Sequence, residues 1–204
     1  MTKQDGKNGI SWCDYTWNPV TGCEHGCPYC YARKISYRFQ GHFKPTFHAD
    51  RLREPGELAR PSHVFVCSMA DLFGSWVPPE WIFSVSNACF RARQHRYMLL
   101  TKNPARYLTA PAFPAGTLFG RTLTGLGGNI GDEGQIYSNV DFISFEPLLG
   151  NKIVDGMIHP LLKFVIVGPQ TGPGAKPMPP KAVKRIQSEC RKYSVPIHWK
   201  KGAK

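Results

Sequence analysis

The sequence predicts an α/β fold within one domain spanning residues 1–204, and three observations carry that reading. Short continuous apolar runs recur along the chain, amphipathic helical patterns lie between several of them, and 204 residues suffice to bury one core. Apolar strands alternating with helices are strands buried on both faces, because the crossover helices of a parallel sheet must cover it. An α/β barrel or an open parallel sheet follows. In such barrels the strand-to-helix loops gather at the carboxyl ends of the strands, so functional residues are expected just after each strand.

His63 to Ser68 (HVFVCS) reads as the first buried strand. Pro78 and Pro79 then open a helix within Val77 to Gln94 that sets Trp81, Ile82, Val85 and Cys89 on one face. Tyr97 to Thr101 (YMLLT) is the second strand, after which Asn103 caps and Pro104 starts a short helix through Leu108. Thr117 to Leu123, Val140 to Phe145 and Phe164 to Val167 are three further strand-like runs, each followed by a Gly- or Pro-rich turn. Pro180 to Tyr193 is a strong helix with Val183, Ile186, Cys190 and Tyr193 on its apolar face, and Val195 to Trp199 completes the series as the sixth strand.

Hydrophobic residues make up 42% and charged residues 20%, which argues against a disordered chain or a membrane protein. No apolar run approaches the roughly 18 residues of a membrane span, and Met1 to Gly9 is polar without a signal-peptide stretch, so a cytoplasmic protein without membrane contact is expected. Lys and Arg number 26 against 14 Asp and Glu, a net charge of +12 that suits polyanionic partners such as nucleic acid and also serves solubility. Seven cysteines, three of them within eight residues, point to metal binding ahead of a disulfide framework.

Residues 22–31 (GCEHGCPYCY) space Cys23, Cys27 and Cys30 as C-x3-C-x2-C in a loop that enters a helix. A cubane iron–sulfur cluster wants thiolates, and Gly22, Gly26 and Pro28 ease the tight turns around one. With three local ligands, one iron of a [4Fe–4S] cluster stays open to a small molecule, and an open position is what separates catalytic from closed structural metal sites. The competing reading is zinc, completed by His25, Cys13 or another cysteine, although no second C-x2-C knuckle follows. Cys67, Cys89 and Cys190 lie in apolar patterns and read as small hydrophobes, while Cys13 stands in a polar stretch and is left unassigned.

The cysteine motif, with Tyr29 before its third thiol, resembles the signature of the radical S-adenosylmethionine (SAM) superfamily. Trp12 to Gly22 (WCDYTWNPVTG), Val64 to Phe73 (VFVCSMADLF), Leu99 to Pro104 (LLTKNP), Ser144 to Gly150 (SFEPLLG) and Val165 to Met178 (VIVGPQTGPGAKPM) together resemble a phage- and bacteria-associated radical SAM-like family of unassigned function. The resemblance implies a partial (β/α) barrel of about six parallel strands, with a [4Fe–4S] cluster in the loop after its first strand. It implies SAM as the second cofactor, cleaved to a 5′-deoxyadenosyl radical that abstracts a substrate hydrogen, and a reductant such as flavodoxin or ferredoxin.

Carried over by position, Tyr29 would lie against the adenine, and Ser68, Met69 and Asp71 would meet the methionyl amine. Thr122 and Thr124 would face the ribose, with Glu146 and Gln170 lining the same mouth and Lys102 meeting a carboxylate or phosphate. The alternatives are that Asp71 simply caps a turn, Ser68 satisfies a backbone group, and Lys102 stands in solvent. Two departures stand out: Arg121-Thr122-Leu123-Thr124 replaces an expected Val-Ser-Val-Glu, and Pro169-Gln170-Thr171 replaces Gly-Glu-Ser, which removes acidic groups from the mouth.

Basic residues cluster at Arg33, Lys34 and Arg38, at Arg91, Arg93 and Arg96, and from Lys176 through Lys204. The first group adjoins the cysteine loop, where phosphates of a nucleotide or strand could dock. Tyr31, Ile35 and Phe39 recur at helical spacing and are expected in the core, whereas Trp17, Tyr37, Phe43 and Phe47 are candidates to stack on bases. Three functions stand: a radical SAM enzyme acting on nucleic acid or a nucleotide, a zinc-stabilised nucleic-acid-binding module, and a cluster protein with a redox or sensing role.

Overall fold

A computed structural model describes residues 1–6, 10–127, 140–172 and 174–203. Lys204, the end of the C-terminal basic group, lies outside the described residues. The chain divides into two compact units, Met1–Thr101 with Ala105–Leu118, and Lys102–Pro104 with Phe119–Lys204.

The first unit carries, in chain order, β1 (Thr2–Lys3), β2 (Tyr15–Trp17), β3 (Val20–Thr21), α1 (Tyr31–Gln40), β4 (Thr46–Phe47), a 3-10 segment (Ala49–Glu57), β5 (His63–Val66), α2 (Pro79–Arg91) and β6 (Arg96–Thr101). β2, β5 and β6 are parallel neighbours, with Trp17 beside Val66 and Phe65 beside Met98, and β1 adds antiparallel to the edge of β2. β3 and β4 form a separate antiparallel ribbon. Val64, Phe65 and Val66 are all buried, as a central strand of a covered sheet requires. Fully buried Trp17 donates its indole N–H to the Arg51 carbonyl at 2.9 Å, which satisfies the one polar atom of that ring.

The second unit holds β7 (Leu118–Leu123, all but its first residue), β8 (Phe142–Phe145), β9 (Phe164–Val167), α3 (Pro180–Lys192) and β10 (Ile197–Trp199). Its strands run in that order and all pair in parallel. Ile143, Phe145, Val165 and Val167 point to one face and pack with Ala182, Ile186 and Cys190 of α3 in a single apolar cluster. On the other face Phe142 stacks on Phe164 with ring centres 4.8 Å apart, and Gly120 leaves room for the Phe142 ring, which a Cβ there would meet at 2.3 Å.

Apart from the β3–β4 ribbon the strand pairing is largely parallel, and among the described residues no closed barrel forms. Among the described residues the parallel strands number three in the first unit and four in the second, against about six expected. The additional strand is β2, three residues between Asp14 and Asn18, too short and too polar at its flanks to read as an apolar run. The short helix expected at Asn103 to Leu108 is a 3-10 segment, Pro104–Thr109.

Candidate functional site

Cys23, Cys27 and Cys30 stand on the loop from β3 to α1, each half-buried and none in a disulfide. Gly22 opens the loop at φ 84°, donates its amide to the Met69 carbonyl at 3.0 Å and pairs with Ala70 as an isolated parallel bridge. A Cβ at Gly22 would fall 2.1 Å from the Lys44 carbonyl oxygen, so only glycine fits. Gly26, at φ 69°, has open space around it. Cys30 closes the loop as the N-cap of α1, its Sγ accepting the Arg33 amide at 3.4 Å.

Asp71 ties this loop to the sheet. It is buried, and its Oδ2 stands 2.7 Å from His25 Nε2 while its Oδ1 accepts the Thr101 hydroxyl at 2.7 Å and the Phe73 amide at 3.0 Å. A buried carboxylate needs such partners to offset its desolvation. The His25 ring also packs edge-on against Trp76 at 4.7 Å. The turn-capping role open to Asp71 in the sequence is thus occupied, together with a second role as the anchor of the loop. His25, the zinc candidate, has its Nε2 on that carboxylate.

Ser68 and Met69 follow Cys67, which turns the chain out of β5 at φ 61°, a left-handed conformation rare for a side chain of that type. Asn18 holds the turn: its Oδ1 accepts the Met69 amide at 2.9 Å and the Ser68 hydroxyl at 3.2 Å. Tyr31 donates its hydroxyl to the Ser68 carbonyl at 2.7 Å, which fixes the first turn of α1 to the same segment. The first unit therefore joins the loop of Cys23, Cys27 and Cys30 to Ser68, Met69 and Asp71 by hydrogen bonds, with Tyr29 next to the third thiol in the chain. His25, Asn18 and Thr101 complete the network. Sequence reading missed their parts because each contact spans 30 residues or more.

The remaining candidates lie in the second unit. Thr122 is half-buried in β7 opposite Ser144 of β8. Thr124 is buried, accepts the Leu149 and Gly150 amides on its carbonyl at 2.7 and 3.0 Å, and takes the Leu126 amide on its hydroxyl at 3.4 Å, which are turn-forming contacts. Glu146 is ion-paired with Lys200, and Gln170 accepts the Lys176 amide at 3.4 Å. His198 feels both members of that pair; its pKa lies below the usual value through burial and the Lys200 charge. Lys102 is half-buried.

The cysteines read as structural are buried. Burial pushes the Cys67 thiol up to about 12 and the Cys190 thiol to about 11, and raises Cys89 as well. Cys13 is also buried. The expectation for Tyr31, Ile35 and Phe39 is overturned: they are 50%, 43% and 76% exposed, because α1 packs inward through the small residues Ala32 and Ser36 instead. A cavity of about 170 Å³ opens beside that stripe, lined by Ile35 and Phe39 from α1 and by Asn18, Thr21, Arg51 and Met69.

Three half-buried thiols on one loop, the last at a helix N-terminus, are the donor set an iron–sulfur cluster takes. As they stand, no three His, Cys, Asp or Glu side chains among the described residues are gathered closely enough to hold a metal ion.

Fold and site thus define a mixed α/β protein with a thiol-rich loop between its first parallel strand and its first helix. The family model described as protein of unknown function (DUF5131) matches residues 7–204, and the chain belongs to that family. No curated protein and no solved structure matches it. Among the described residues no helix is long and apolar enough to cross a membrane.

Proposed function

We propose that the chain is a radical SAM enzyme whose fold is a partial (β/α) barrel of that type, with Cys23, Cys27 and Cys30 as the cluster ligands. The observation that supports this most is the loop itself: three thiols at C-x3-C-x2-C spacing, with the third as the N-cap of α1 and the first bordered by a glycine that nothing can replace. Held by Cys23, Cys27 and Cys30, a [4Fe–4S] cluster would supply the electron that opens SAM for hydrogen abstraction from a substrate. The chain's part is to hold and shield. Asp71 fixes the loop through His25, Asn18 sets the Ser68–Met69 turn beside it, and Tyr29 offers a ring next to the third thiol. In the second unit Thr122, Thr124, Glu146, Gln170 and Lys102 are assigned to the cofactor's polar groups, and a flavodoxin- or ferredoxin-type protein to electron delivery.

Anaerobic reconstitution with iron and sulfide tests this. The expected result is a brown protein with about four irons that releases 5′-deoxyadenosine with SAM and dithionite, both lost in Cys27→Ser. Stoichiometric zinc with no brown colour would overturn it, as would a cluster whose electron paramagnetic resonance spectrum ignores SAM.

A further inference from the structure

We infer that the exposed face of α1 is a docking surface for single-stranded nucleic acid, with bases stacking on Tyr31 and Phe39 and phosphates meeting Lys34 and Arg38. That such a strand is the substrate rests on the radical SAM reading; the binding itself does not.

The face consists of two parallel ridges. Tyr31, Ile35 and Phe39 stand four residues apart on one, and Lys34 and Arg38, each three residues beyond a member of the first, form the other. Both ridges are exposed, and the Arg38 guanidinium lies 5.6 Å from the centre of the Phe39 ring. The helix, YARKISYRFQ, contains no carboxylate, so nothing on it offsets the cations. Rings in solvent flanked by uncompensated positive charge suit a polyanion with accessible π-faces, which a single strand presents and a duplex hides. The cavity beside Phe39 sets Asn18, Thr21 and Arg51 in one wall with Ile35 and Met69, a mixed lining that offers polar groups to the edge of a planar base. Its Met69 wall accepts the Gly22 amide, one residue from Cys23, so a base unstacked into it approaches the cysteine loop.

The experiment is fluorescence anisotropy of a labelled 20-nucleotide single strand of mixed sequence with the full-length, cluster-free protein. Phe39→Ser is expected to weaken binding about tenfold or more. Lys34→Gln with Arg38→Gln should weaken it and lower the slope of log K against log salt by about 1.4, or 0.7 per lost charge. Phe83→Ser, an exposed ring on α2, should change nothing. DNA and RNA strands should bind alike, because stacking and phosphate contacts do not read the 2′-hydroxyl. Parent-like binding by Phe39→Ser and by the charge variant would overturn the inference, as would tighter binding to phosphatidylserine vesicles or equal binding to duplex. Absence of 5′-deoxyadenosine from the reconstituted parent would sink the enzymatic reading alone.

Discussion

Along α3, Ala182, Ile186 and Cys190 recur every four residues, and all three are buried in the apolar cluster of the second unit. Along α1, Tyr31, Ile35 and Phe39 recur at the same spacing and stand 50%, 43% and 76% exposed. The two helices have one periodicity and opposite uses. What separates them is the size of what faces inward: α1 seats itself through Ala32 and Ser36, which bring its backbone close and leave the bulky residues outside. A burial-driven stripe holds a fold together, whereas a stripe kept in water beside a cavity and a row of cations is available to a partner.

The sharpest test of that contrast is stability. Ile186→Ala should lower the urea-derived unfolding free energy by about 2–5 kcal/mol with unchanged m-value, while Phe39→Ala should change it by no more than about 0.5 kcal/mol. Equal losses would break the comparison. Gly22→Ala follows, because its Cβ would strike the Lys44 carbonyl in a left-handed backbone: a loss of at least about 2 kcal/mol is expected, with iron uptake on reconstitution lost as well. Asp71→Asn should cost about 1–3 kcal/mol through the His25 and Thr101 contacts, and a chelator should strip iron from the reconstituted variant faster than from the parent.

The smallest effect is kinetic and compares a cysteine on each helix. In the cluster-free protein at pH 8, iodoacetamide should alkylate half-buried Cys30 and leave buried Cys190 unmodified, as read by peptide mass spectrometry. A thiol pushed up to about 11 is only about one part in a thousand thiolate at that pH. Its reaction should quicken about tenfold for each pH unit until the pH reaches that value. Preferential labelling of Cys190 would show that the apolar face of α3 is open.

How far the molecule could be read in advance depended on the range of each interaction. The strands at His63–Val66 and Phe164–Val167 announced themselves as unbroken apolar runs, and α3 began at Pro180 as expected, since burial on two faces and a helix start are local signals. The thiol loop entering α1 was equally plain. β2 was not, because three residues between polar neighbours gain their strand character from pairing with β5, 49 positions onward at Tyr15 and Val64. The Asp71 carboxylate could be nominated from its place after a strand. That His25 would meet it, 46 residues away, could not.

Order along the chain thus settled the alternation of strands and helices, the spacing of the thiols and the glycine beside them, since each follows from backbone geometry within a few residues. Folding in three dimensions settled which residues steady the loop and which apolar stripe stays in water. Periodicity states which side chains share a face, and only the packing of distant segments states what, if anything, covers it.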